Sequence, residues 1–134
     1  MRRMPVALGA VSIAFGALTT LLMLFAIFGV SAQSDITAEQ RHYQIVSTAT
    51  FSVMAVALIV IGIGLARRKR WSRGAGIAWA IAAIAVVEFE FYVLGRIGGG
   101  ARTPGMYVML VVESIFPLAM LMLLVRPSAK DDFV

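Results

Sequence analysis

Between Pro5 and Val30 the chain carries no charged side chain. A helix rising about 1.5 Å per residue needs only about 20 apolar residues to cross a hydrocarbon core of about 30 Å. Three more blocks follow the same pattern, at 45–66, 75–95 and 106–125, with short polar stretches between them. In lipid a backbone must satisfy its own polar groups, so such blocks are expected to be helices. Four of them in 134 residues leave no room for a separate soluble domain. The expected fold is therefore all-α: a polytopic membrane protein, one domain over 1–134, built as an up-down bundle of four transmembrane helices. Short connectors would make consecutive helices antiparallel neighbours.

The charge content agrees. Only 14% of residues are charged, against about 25% in soluble domains. The net charge of +5 does not point to nucleic acid, because five of the basic residues, Arg67, Arg68, Lys69, Arg70 and Arg73, sit together in the connector ARRKRWSRG. Between two spans such a cluster determines topology and meets anionic lipid headgroups. Arg2 and Arg3, the apolar block and VSAQ (30–33) also look like a signal peptide. A signal's apolar region runs to only about 7–15 residues, so the block reads as a retained first span.

Orientation follows from the connectors. Arg2, Arg3, the five connector residues, Arg126 and Lys130 fall on one side; Arg41, Arg96 and Arg102 fall on the other. The basic excess belongs inside, which places both termini and the central connector in the cytoplasm, in a bacterial inner membrane. Trp71 and Trp79 then flank the inner end of span three, with Tyr43, Tyr92 and Tyr107 near the outer ends, as interfacial aromatics would. In the loop 31–44, Ser34 or Asp35 could cap a short helix, and Thr37–Gln40 fits a capping box. The tail RPSAKDDFV reads as short and polar. Gly9, Ser12 and Gly16 in span one, and Ala55, Ile59, Gly62 and Ala66 in span two, form small-residue seams of the kind that lets helices approach in lipid. They serve packing within the chain or between copies.

The acids Glu88, Glu90 and Glu113 lie inside the apolar blocks. A charge at the bilayer centre costs roughly 2.5–3.5 kcal/mol on insertion scales, so depth matters. If helix three enters at Ala75, Glu88 and Glu90 lie about 20 and 22 Å in; entry at Trp71 brings both close to the outer edge. Glu113 lies about 10 Å below that edge. Pro117, four residues on, takes away the amide that would bond the Glu113 carbonyl. Glu88 and Glu90 are two apart and project about 200° from each other, so only one can face the interior. Arg96, Arg102, His42 and Tyr92 are candidate partners at the outer end, and pairing with them would make the acids purely structural.

Several chemistries are excluded or unsupported. There is no cysteine, hence no thiolate ligand or nucleophile. A single histidine, His42, makes an imidazole metal site or bis-histidine haem improbable. GRIGGG follows no strand and is no dinucleotide fingerprint. Eight methionines suit adaptable packing better than copper binding. No enzyme, cofactor or metal is expected.

The stretches GLARRKRWSRGAGIAWAI and LLVRPSAKDDF resemble those of small bacterial four-helix membrane proteins of unassigned function. That resemblance implies a layout and no activity. The chain also has the size and helix count of small multidrug transporters and small fluoride channels, but lacks a glutamate in helix one and a phenylalanine- and threonine-rich filter. The leading expectation is a non-enzymatic accessory subunit whose glutamates organise assembly with itself or with other membrane subunits. The other is a small homo-oligomeric proton- or cation-coupled transporter using Glu113 with Glu88 or Glu90.

Overall fold

The computed structural model describes residues 3–32, 37–97 and 104–133. They form four long helices, α1 (Met4–Ala32), α2 (Ala38–Ala66), α3 (Arg70–Ile97) and α4 (Pro104–Val125), and a short 3-10 helix, Pro127–Asp132. Among the described residues there is no strand. Within α1, α2 and α3 the stretches Met4–Phe25, Ala38–Ala66 and Arg70–Val93 are long and apolar enough to cross a membrane, and α4 contributes the apolar stretch Glu113–Val125.

Two boundaries differ from the sequence expectation. The capping box does not start a separate short helix. Thr37 Oγ1 accepts from the Gln40 amide at 3.2 Å, Gln40 Oε1 accepts from the Thr37 amide at 3.2 Å, and the helix they start is α2 itself. Residues 38–44 are thus its first turns, because a satisfied cap lets a helix run on without a break. Ser34 and Asp35 lie outside the described residues. At the other end, α2 closes with Arg68 in the left-handed region (φ 57°). The Arg68 amide donates to the Leu65 carbonyl at 2.9 Å and the Lys69 amide to the Gly64 carbonyl at 2.9 Å, the paired bonds of a Schellman stop. The chain reverses within these few residues, so α3 begins at Arg70, five residues before the apolar block.

The helices run antiparallel in sequence order, as residue pairs of opposite progression show. Gly64 abuts Trp71 and Ser72, Trp79 Nε1 donates to the Met54 carbonyl at 2.9 Å, and Ser47 bonds Glu90. Between α3 and α4, Gly76 meets Leu124 and Met120, and Trp79 meets Phe116 edge-on at 6.0 Å.

The small-residue seams close α1 onto α2 within the chain. A Cβ on Gly9 would come within 2.5 Å of the Ala66 amide nitrogen and 2.6 Å of the Gly62 carbonyl; one on Gly16 would come within 2.8 Å of the Ala55 carbonyl. Ser12, fully buried between them, returns its hydroxyl to the Leu8 carbonyl at 2.7 Å. Backbones this close maximise dispersion contact, the main attraction between helices in lipid.

A buried core lies towards the basic connector, where Leu8, Leu58, Ile61, Leu65, Met120 and Leu124 meet. The tail joins it, contrary to its polar composition. Phe133 is 6% exposed and packs in this core, Ala129 is buried, and Arg68 Nε donates to the Asp132 carbonyl at 2.7 Å. Arg73 Nε likewise caps the end of α4 through the Leu124 carbonyl at 2.9 Å. Two connector arginines thus hold the C-terminal segment. Trp79 is no interfacial anchor either: it is 8% exposed, since its indole N–H finds a carbonyl inside the bundle and its ring an aromatic partner.

Candidate functional site

Towards the opposite end the bundle is polar on one face of α2. Tyr43, Gln44, Ser47 and Thr48 recur at the three- and four-residue spacing that aligns side chains on a helix. Thr48, Thr50 and Ser52 satisfy themselves, each bonding the carbonyl four residues back at 2.7–2.9 Å. Ser47 behaves differently. Its hydroxyl donates across the helix interface to Oε1 of Glu90 on α3. Beside it, Tyr43 Oη and Gln44 Oε1 are buried with no hydrogen-bond partner among the described residues. Tyr43 and Glu113 both lie within electrostatic reach of the Glu90 carboxylate.

Glu113, on α4, lines a cavity of about 310 Å³ between the helices. Its other walls are apolar apart from Thr19, and include Phe15, Phe51, Trp79, Val87 and Pro117. Phe15 is stacked on Phe116 with centroids 4.7 Å apart, which joins α1 to α4 and fixes one wall. Among the described residues, Glu113 forms no hydrogen bond. Pro117 sits inside α4 and is buried, so residue 113 brings both a half-buried carboxylate and a carbonyl deprived of its usual donor to one place.

The residues singled out from sequence are thus divided. Glu90 turns to α2 through Ser47, while Glu113 lines the cavity with Pro117. Glu88 points the other way and is exposed, along with Phe89 and Tyr92, which is 53% exposed. His42 is also exposed. Arg102 lies outside the described residues, as does the side chain of Arg96. Arg67, Arg68, Lys69, Arg70 and Arg73 cluster at the α2–α3 turn, where Arg68 and Arg73 also hold the C-terminal segment. Ser47 and Gln44 were not read as site residues, and Tyr43 was read only as an interfacial aromatic. Their common spacing with Phe51 along α2 was the available signal.

Among the described residues no three histidine, cysteine or acidic side chains gather. Two carboxylates on neighbouring helices, with hydroxyl and amide oxygens nearby, suit a proton or a monovalent cation better than a transition metal. No known protein family, curated protein or solved structure matches the chain.

Proposed function

We propose that this chain is a non-enzymatic multi-pass membrane protein that carries a proton or monovalent cation through Glu90 and Glu113. In this reading α4 is the fourth span, both termini are cytoplasmic, and the basic connector lies against anionic headgroups of a bacterial inner membrane. The observation that carries it is the polar face of α2 that meets Glu90 of α3. Tyr43 Oη and Gln44 Oε1, both buried and unpaired among the described residues, lead to Ser47 and Glu90, and from there to Glu113. Buried polar atoms call for a partner, and a mobile water or ion supplies one. Ionisable groups turned to the interior of a membrane bundle are the usual parts of such a pathway.

Assembly as an accessory subunit is the second reading, and Glu88 favours it. An exposed carboxylate flanked by the exposed Phe89 and Tyr92 on a candidate span offers another subunit both charge and apolar area. Flux measurement separates the two. Purified protein in liposomes holding a pH-sensitive dye should dissipate an imposed gradient, and Glu113→Gln should abolish that flux while keeping the native mass. No flux, with a native mass that includes other chains after gentle extraction, establishes the subunit. Masses at small multiples of 14.4 kDa together with flux establish a homo-oligomeric carrier.

A further inference from the structure

A proton needs no cavity, and a bare metal cation needs more oxygen ligands than this one supplies. Around Glu113 the walls offer one carboxylate and the Thr19 hydroxyl; the rest is apolar. A small inorganic cation entering would lose its hydration without replacement. The volume of about 310 Å³ is instead at the lower end of the roughly 300–1,000 Å³ typical of small-molecule sites. Its walls hold three aromatic rings, Phe15, Phe51 and Trp79. The Trp79 indole N–H is already given to the Met54 carbonyl, so that side chain offers a guest only its ring. Phe15 is held by its stack on Phe116. Aromatic faces beside one carboxylate favour a charge spread over a poorly hydrated organic group.

We propose that this cavity binds a small monovalent organic cation, with its charge at Glu113 and its apolar body among Phe15, Phe51 and Trp79. The inference rests on reading Glu113 as the ion-binding acid and adds the chemical class of what it binds. One acid facing the cavity sets the charge at one. The aromatic walls set the preference for an ammonium carrying a phenyl or branched alkyl group over a polyamine or a metal ion.

Trp79 supplies the readout. In a Trp71→Phe variant it is the sole tryptophan, since the chain has two. The protein in lipid nanodiscs is titrated with benzyltrimethylammonium chloride, with sodium chloride at matched ionic strength and sodium phenylmethanesulfonate as controls. The expected result is a saturable change in Trp79 emission with the cation alone. Glu113→Gln weakens it at least tenfold, and Glu113→Asp retains the preference for the cation. An unchanged titration in Glu113→Gln, or an equal response to the anion, overturns the inference. The flux assay separates this from the preceding reading. Glu113-dependent proton flux without cation binding overturns the ligand class and leaves the carrier. Cation binding at Glu113 without flux supports the site and overturns the carrier.

Discussion

Ser47 on α2 donates its hydroxyl to Oε1 of Glu90 on α3, a side-chain bond that joins two helices near the polar end of the bundle. It aims one carboxylate of α3 at α2 and leaves Glu88, two residues earlier, facing outward. Removing the hydroxyl strips a half-buried carboxylate of its donor. Ser47→Ala should lower unfolding stability in mild detergent by about 0.5–2 kcal/mol, the range for interhelical bonds in membranes and for bonds to charged groups. Ser47→Thr, which keeps the donor, should lose less than half of that. An Ala variant as stable as the parent would show the bond to be dispensable.

The α1–α2 seam makes a sharper contrast. Gly9→Ala places a methyl within 2.6 Å of backbone atoms in α2, whereas a Cβ on Gly74 meets nothing within 4 Å. Backbone cannot swing aside as a flexible side chain does, so Gly9→Ala should cost about 1–3 kcal/mol. Gly74→Ala, in an open helical position, should gain about 0.5–1 kcal/mol. Thermal unfolding of the two variants beside the parent decides it, and equal shifts would break the account of the seam.

Arg68 combines two opposed effects. Its left-handed backbone favours glycine, at about 1–2 kcal/mol, yet its side chain holds the Asp132 carbonyl. Arg68→Gly should therefore change global stability little while exposing the segment 127–133 to limited proteolysis. Arg68→Ala keeps the backbone cost and loses the bond to Asp132, so it should melt lower and be cut faster. Protection of the tail in both variants would mean that Phe133 alone holds it.

Phe133 itself is 6% exposed within the core near the connector. Phe133→Ala should cost about 3–5 kcal/mol, as for buried phenylalanines elsewhere, and Phe133→Leu distinctly less. A shift under about 1 kcal/mol, below the usual range for a core phenylalanine, would place the ring outside the stabilising core.

Topology is testable without background, because the chain has no cysteine. Thr37→Cys should react with an impermeant maleimide in intact cells. Lys69→Cys should react only after permeabilisation. The reverse pattern would invert the orientation argued from the basic connector.

The periodicity of charge along the chain announced an all-helical membrane protein, because long uncharged runs tolerate no other backbone in lipid. The Thr37–Gln40 capping box and the seam of Gly9, Gly16 and Gly62 were also legible. Both depend on neighbours three, four or seven residues apart, a spacing that the helix itself makes local. Interhelical choices were not legible. Sequence spacing put Glu88 and Glu90 on opposite sides of α3 but did not say which turned inward; the antiparallel register setting Ser47 across from Glu90 decides that. Nor does composition show that Phe133 packs in the core, since a polar tail hides one aromatic ring that joins a core drawn from several helices. Trp79 looked like an interfacial anchor because tryptophans near span ends usually are. Its burial depends on a carbonyl of Met54, twenty-five residues away. The linear order of charges determined which segments form helices; pairwise packing between helices decided which acids, rings and hydroxyls face one another.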